Sequence, residues 1–221
     1  SYDVITVGSG TVDIFLYTEH AKIIRKKKGQ SLIAYPAGGK ILVDELITTT
    51  GGGGTNAAVS LSKLGYNVAF LGKLGDDHNA ELVLKQIRED KVDFLGLREK
   101  KGVTSLSVVL DSILHDRTIL VYKGASSNLK FSEINKARLM TKWFYFSAML
   151  GEGFKTLEKL AGLAAEKGIK IAFNPSAYLA EKGLSGLGRI LRQANILVLN
   201  EEEAQLLAKK GGIEKNLRAL R

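Results

Sequence analysis

Short runs of β-branched and aromatic residues alternate along the chain with longer stretches in which apolar residues recur every three or four positions. This alternation is typical of an α/β fold whose parallel strands are buried on both faces. The predicted strands cover residues 3–7, 67–72, 143–147, 170–174 and 196–199, with a short strand at Val92. The predicted helices cover residues 56–64, 79–90, 155–167, 184–193 and 201–210. The pattern therefore predicts helices on both faces of a mostly parallel central sheet.

Residues 12–50 depart from this rhythm. They read as strands over residues 22–25, 31–35 and 41–50, separated by Gly29 and by a Pro-Ala-Gly-Gly turn. Residues 105–110 and 117–122 read as a hairpin, with turn signals at Asp111, His115 and Asp116. We therefore expect a single domain over residues 1–221, carrying a small β-sheet lid formed by segments within 12–50 and 104–122.

Composition narrows the classes of function. The 221 residues can bury a sizeable core, and the absence of cysteine excludes thiol nucleophiles and Cys-ligated zinc. No apolar run is long enough to cross a bilayer, so we predict a soluble, cytoplasmic protein without a membrane partner. The net charge of +9 includes the cluster at residues 25–28, which has no interleaved aromatic residues. That cluster favours a solvated turn over a nucleic-acid site.

Four consecutive glycines, Gly51 to Gly54, are followed by Thr55 and Asn56 and then by a helical pattern. Glycines let backbone groups approach a small ligand, and the amide of Asn56 offers a donor and an acceptor. A sharp strand-to-helix turn without a ligand explains the run equally well. The run is not a P-loop, because it lacks the Lys and Ser/Thr that follow the last glycine of that motif.

A second candidate follows the first predicted strand, in the sequence Gly8-Ser9-Gly10-Thr11-Val12-Asp13. Asp13 replaces the third glycine of a dinucleotide fingerprint, which disfavours a Rossmann cofactor site and hence an oxidoreductase. We expect Asp13 to emerge at the carboxyl end of that strand, where open sheets bind ligands and where a carboxylate can accept hydrogen bonds from vicinal hydroxyls. Capping of a loop is the alternative role for this carboxylate.

These stretches resemble the ribokinase/PfkB family of carbohydrate and nucleoside kinases. The N-terminal motif of that family is matched with every spacing kept, by Gly52, Gly53, Gly54, Asn56, Ala58, Gly65 and Gly75. The family's first strand with its substrate-binding Asp is similar to residues 8–13, although Thr11 stands where ribokinase has Asn. Residues 200–203 match the family's Asn-x-x-Glu motif. The resemblance implies a ribokinase-like three-layer sandwich with a small β lid.

The resemblance also implies roles for single residues. It assigns Asp13, Thr11, Gly52, Gly53 and Asn56 to substrate hydroxyls, and Asn174, Asn200 and Glu203 to the phosphates of ATP. Glu203 would act on Mg indirectly, through water. A first-turn helix glutamate explains Glu203 without a ligand, and a strand-ending turn explains Asn174. Arg117 and Lys123 could each place a positive charge near a phosphate or a sugar acid, although solvated sheet edges explain both.

The implied activity is ATP-dependent phosphorylation of a hydroxymethyl group on a sugar. The alternatives are a nucleoside kinase and a non-catalytic sugar or nucleoside sensor. The family's second motif, Gly-Ala-Gly-Asp, carries the Asp base and does not occur in residues 1–221. We therefore expect that base to lie beyond Arg221, in a chain truncated at its C-terminus that has no catalytic residue of its own and little activity. The lid strands are also expected to pair between subunits of a homodimer.

Overall fold

The computed structural model describes residues 1–26, 31–111, 117–209 and 215. The strands are β1 Tyr2–Val7, β2 Thr11–Tyr17, β3 Lys22–Arg25, β4 Ser31–Ala34, β5 Glu45–Gly51, β6 Val68–Leu71, β7 Lys73–Leu74, β8 Asp93–Phe94, β9 Leu97–Arg98, β10 Ser105–Asp111, β11 Arg117–Tyr122, β12 Thr141–Ser147, β13 Lys170–Asn174 and β14 Ile196–Leu197. The helices are α1 Gly53–Lys63, α2 His78–Glu89, α3 Gly151–Lys167, α4 Ser176–Ala180, α5 Gly183–Gly186, α6 Gly188–Leu191 and α7 Glu201–Ala208. Single 3₁₀ turns lie at Gly124–Asn128, Phe131–Glu133 and Lys136–Arg138.

The central sheet has the strand order β14-β13-β12-β1-β6-β8, and each neighbouring pair in it is parallel. Alternate side chains of its strands enter two separate cores. Phe144 and Phe146 of β12 pack with Leu157 and Leu160 of α3 on one face. On the other face, β6 packs against α1 and α2. The sheet between two helical layers confirms the predicted three-layer α/β sandwich.

A separate four-stranded sheet, the small sheet, has the order β11-β10-β2-β5. It contains the predicted hairpin, because β10 and β11 pair antiparallel from Leu106 opposite Tyr122 to Asp111 opposite Arg117. The two predicted turn residues at 115 and 116 lie outside the described residues. β3 and β4 form a two-stranded sheet of their own, as the pattern of residues 22–35 predicts.

The small sheet differs from the prediction at β2. The sequence pattern assigned no strand to residues 11–17, but they form a strand that pairs in parallel with β10 and antiparallel with β5. These partners are remote in sequence, so the strand is fixed by pairing rather than by a local pattern. Opposite Asp13 lie Thr49 of β5 and Ser107 of β10.

The predicted helix over residues 184–193 is two short helices, α5 and α6, because Gly183, Gly186 and Gly188 interrupt it. The helix predicted over residues 201–210 is α7, which ends at Ala208, and Lys209 has a left-handed backbone with φ 54°. Residue 210, Arg221 and residues 27–28 of the basic cluster lie outside the described residues.

Candidate functional site

The glycine run joins the small sheet to the central sheet. Gly51 ends β5, and Gly52 precedes α1 with φ +104°, a left-handed conformation that strains residues with a Cβ. The carbonyl of Ser9, just past β1, accepts hydrogen bonds from the amides of Gly54 and Thr55 at 3.0 and 3.3 Å. The start of α1 is therefore held at the carboxyl edge of the central sheet.

Close packing explains why glycine is needed at three of these positions. A Cβ on Gly52 would overlap the carbonyl oxygen of Ser9, and one on Gly53 would overlap the hydroxyl of Ser147. A Cβ on Gly54 would lie 2.7 Å from the ring of Phe70. The run is thus a tight strand-to-helix turn, which is the explanation that the sequence analysis gave beside a ligand site. It also places exposed Gly53 beside the buried hydroxyl of Ser147, at the end of β12.

Asp13 lies in β2 of the small sheet and not at the end of β1, so the predicted location of this carboxylate was wrong. The hydroxyl of Thr11 donates to one carboxylate oxygen of Asp13 at 3.1 Å. The other carboxylate oxygen faces Gly51, where a Cβ would overlap it. Thr11 is buried and Asp13 is partly buried. The acidic side chain therefore projects from the small sheet onto the beginning of the glycine run.

Asn56 is exposed, one turn into α1. It lines a groove of about 470 Å³ together with Thr49 and Thr50 of β5. Asp13 does not line this groove, but its cross-strand neighbour Thr49 does. Directly opposed residues in antiparallel strands have Cβ atoms about 5 Å apart. Thr49, which the sequence analysis did not select, thus connects the neighbourhoods of Asp13 and Asn56.

The three residues predicted near phosphates lie over the other half of the same edge, and each has a hydrogen bond within the protein. The amide of Asn174, at the end of β13, donates to the carbonyl of Val198 at 2.8 Å. Asn200 and Glu203 form a capping box at the start of α7, with bonds of 2.7 and 3.1 Å. These contacts are those expected of structural roles, and they fix the orientation of the side chains.

Tyr145 and Ser147 of β12 join the two groups of residues. In parallel register, Ser147 neighbours Asn174, and Ser147 also contacts Gly53. Burial first, and the nearby Glu203 carboxylate second, raise the pKa of Tyr145 above its usual value. The sequence analysis missed both residues, because it read β12 only as a buried strand. Their position on alternate residues at the carboxyl end of that strand was the available signal.

Direct metal binding by the protein has no support in the described ranges. Within them, no three His, Cys, Asp or Glu side chains are grouped closely enough to hold an ion.

None of the helices described in the structure combines the length and apolarity that a membrane span requires.

The catalytic Asp base has no counterpart among the residues placed at this edge. The family resemblance places that base in a Gly-Ala-Gly-Asp motif, which residues 1–221 do not contain. The location of the base therefore stays a prediction.

Comparison with known proteins identifies the family. The family model for pfkB family carbohydrate kinases matches residues 21–220. A probable fructokinase-5 of Arabidopsis thaliana is 26% identical over 178 residues, which cover 75% of this chain and 55% of that protein. A deoxyribokinase of Salmonella typhi is 27% identical over 208 residues, which cover 93% of this chain and 62% of that protein.

A solved structure of Arabidopsis thaliana ribokinase, complexed with ribose and ATP, superposes with a TM-score of 0.80 at 19% identity. The superposition covers 100% of this chain and 67% of that one, and it supports the fold. The chain spans about 55–62% of the length of the two curated relatives. With a family model that matches nearly all of its residues, the chain belongs to the pfkB family of carbohydrate kinases.

Proposed function

We propose that this chain forms the acceptor site, and part of the phosphate site, of a kinase that phosphorylates a hydroxymethyl group of a sugar. The observation that carries the proposal is the contact of the Asp13 carboxylate with Gly51, directly before a glycine turn at the carboxyl edge of the central sheet. Ligands of open α/β sheets bind at this edge. The family to which the chain belongs supplies the reaction class.

The chemistry of the acceptor side follows from its donors and acceptors. The Asp13 carboxylate accepts one hydrogen bond from Thr11 and has capacity for further bonds from vicinal hydroxyls of a sugar. Gly52 and Gly53 bring backbone groups close to the ligand, and the Asn56 amide adds a donor and an acceptor. The small sheet acts as a lid whose closure excludes water from the acceptor hydroxyl.

ATP is the proposed phosphate donor, with Mg as its companion ion. Magnesium takes few protein ligands and retains waters and substrate phosphates. The residues fit this mode and not direct chelation, because Glu203 is the only predicted metal-linked carboxylate and is 9% exposed beside Asn200. Asn174, Asn200 and Glu203 would hold the phosphates and ordered water. When bound, the ion would neutralise phosphate charge.

The base that removes the acceptor proton is not assigned to any residue of 1–221. The Gly-Ala-Gly-Asp motif implied by the family resemblance does not occur up to Arg221. We therefore propose that the 221-residue polypeptide binds acceptor and turns it over slowly or not at all. A coupled ADP-release assay on this polypeptide tests this point, and rates typical of enzymes, about 1–10³ per second, would refute it.

The acceptor class can be identified by thermal shift. Ligands that bind the folded state raise the melting temperature by mass action. A panel of pentoses, hexoses, sugar acids and nucleosides is expected to give a shift that Asp13→Asn abolishes. A shift only with nucleosides would favour the nucleoside kinase alternative. Binding of sugar without any nucleotide binding would favour the non-catalytic sensor.

A homodimer through the small sheet is proposed from one row of apolar residues next to Asp13. Phe15 pairs with Ile47 and Val109, and Val109 pairs with Ile119. Ile47 and Ile119, on the two edge strands, are 50% and 49% exposed. Light scattering of Ile47→Lys tests the proposal, since a charge in a self-complementary interface should give a monomer where wild type is a dimer. We also propose a cytoplasmic location, because the absence of cysteine fits a reducing compartment.

A further inference from the structure

Lys123 is a half-buried cation at the base of the small sheet. It directly follows β11, and its carbonyl accepts hydrogen bonds from the hydroxyls of Ser105 and Ser126 at 2.5 and 2.6 Å. These two bonds fix the backbone from which the side chain leaves.

The side chain extends from the small sheet to α4, the short helix that follows β13 of the central sheet. Its ammonium nitrogen lies 4.4 Å from the centroid of the Tyr178 ring. Tyr178 belongs to α4, which begins two residues after Asn174. The positive charge is thus held between the small sheet, which carries Asp13, and the edge that carries the predicted phosphate residues.

Among the described residues, no carboxylate forms an ion pair with Lys123. Burial lowers the pKa of Lys123, and no acidic neighbour acts on that pKa among the described residues. Lys73, which is more deeply buried, contrasts with it, because its ammonium contacts Glu133 at 2.9 Å. Partial burial removes hydration from an ammonium and is costly without a counter-ion, and an incoming anion offsets that cost.

Lys123 is also close to the proposed acceptor residues. Ser105, which holds its carbonyl, pairs with Thr11, and Thr11 donates to Asp13. Because adjacent strands are about 4.8 Å apart, the backbone of Lys123 lies roughly 10 Å from that of Thr11. One small acceptor between the Asp13 carboxylate and Lys123 is the arrangement that the proposal below requires.

We propose that Lys123 is a specificity-determining residue that binds an anionic group on the acceptor, either a carboxylate or a phosphate ester. The acceptor class is then an acidic sugar and not a neutral one. This inference rests on the proposed function, since it requires Asp13 to hold the hydroxyls of the same molecule. A sugar acid fits this arrangement, because its hydroxymethyl group lies at the end opposite to the carboxylate and stays available for phosphorylation.

The test uses matched ligands on the 221-residue protein. Calorimetry compares D-gluconate with D-glucitol and D-ribonate with ribitol, pairs that differ in a carboxylate against a hydroxymethyl group. D-fructose 6-phosphate against D-fructose tests the phosphate ester. At least one anionic member should bind about tenfold or more tightly than its neutral partner, as expected for a charge-assisted hydrogen bond. The pair that shows the preference identifies the anionic group.

The variants decide whether Lys123 causes the preference. Lys123→Met should bring the anionic-to-neutral ratio close to one, whereas Lys123→Arg should retain most of it. Lys136→Met is the matched control, because Lys136 also lies over an aromatic ring, 4.7 Å from that of Phe131. Its ratio should equal that of wild type. Circular dichroism and urea unfolding of each variant show whether the fold is kept.

Three results would overturn the inference. The first is equal binding of neutral and anionic partners, abolished by Asp13→Asn and unchanged by Lys123→Met, which leaves the proposed function standing. The second is the absence of Asp13-dependent binding of any sugar, which removes the proposed function and the inference together. An anionic preference that Lys123→Met does not alter also contradicts the assignment.

Discussion

Replacing Gly51 by alanine tests the acceptor site without removing any of its polar groups. A Cβ at this position would lie 2.9 Å from Cγ of Asp13 and 3.1 Å from the hydroxyl of Thr11, and would overlap the nearer carboxylate oxygen. Gly51 has no left-handed backbone, so alanine adds no backbone strain. The carboxylate must therefore rotate away or β5 must shift.

The expected magnitudes separate binding from stability. Rotation of Asp13 off its rotamer costs about 0.5–1.5 kcal/mol, and its bond from Thr11 is lost or weakened. The free energy of unfolding should therefore fall by roughly 1–2 kcal/mol. A charge-assisted hydrogen bond to the acceptor is worth about 1.5–3 kcal/mol, so the acceptor's dissociation constant should rise about ten- to a hundredfold.

Calorimetry with the acceptor found by thermal shift measures the affinity, and urea unfolding measures the stability. The control is Gly162→Ala in α3, where an added Cβ meets nothing within 4 Å. It should leave affinity unchanged and raise stability by up to about 1 kcal/mol, the helix preference of alanine over glycine. Wild-type affinity in Gly51→Ala would refute the placement of the acceptor against Asp13.

Three further predictions concern polar contacts that stabilise the fold. Asp77 caps α2 and accepts bonds from the amide of Ala80 at 3.0 Å and from the amide and hydroxyl of Thr104 at 2.8 and 2.6 Å. Asp77→Ala should lower the free energy of unfolding by about 2–4 kcal/mol in urea titrations, because a helix cap is lost and buried donors stay unsatisfied. A loss below about 0.5 kcal/mol would contradict this. Burial acts to raise the pKa of Asp77, but the bonds from Thr104 and Ala80 outweigh it and hold the pKa below its usual value. The stabilisation by Asp77 is therefore present above the unfolded-state pKa and is lost as the pH falls through the folded-state pKa. Asp77→Asn should reduce the decrease in the free energy of unfolding over this acidic range. An unchanged pH dependence would count against the argument. Lys73→Met should cost about 1.5–3 kcal/mol by removing the contact with Glu133, and the double variant with Glu133→Gln should recover part of that loss. Strictly additive losses would show that the pair is not coupled.

Much of the central sheet could be predicted from sequence, because its strands are short apolar runs with clear stops. The strand predicted over residues 170–174 is β13, and the helix predicted to end at Lys167 does so, with Gly168 in the left-handed conformation at φ 67°. The helix predicted from Asn56 begins three residues earlier, at Gly53. Gly53 and Gly54 do not favour a helix by themselves. The helix begins there because the amides of Gly54 and Thr55 donate to the carbonyl of Ser9.

The candidate site was less accessible to sequence reasoning, since it depends on pairing between distant segments. The sequence analysis expected Asp13 at the carboxyl end of the first strand, yet Asp13 is placed by pairing with β5 and β10. Thr49 and Ser147 carry no motif, and only the register of their strands brings them beside Asp13 and Gly53. Local patterns specify which elements form, whereas register specifies which side chains meet.

The most direct test of the central claim, that Asp13 holds the hydroxyls of a sugar acceptor, is calorimetry of Asp13→Asn with acceptor and with ATP. The substitution keeps the shape of the side chain and removes its charge. The account predicts that acceptor affinity falls about ten- to a hundredfold while ATP affinity stays unchanged. Equal loss of both affinities would mean that Asp13 only supports the fold, and unchanged acceptor affinity would mean that the sugar binds elsewhere.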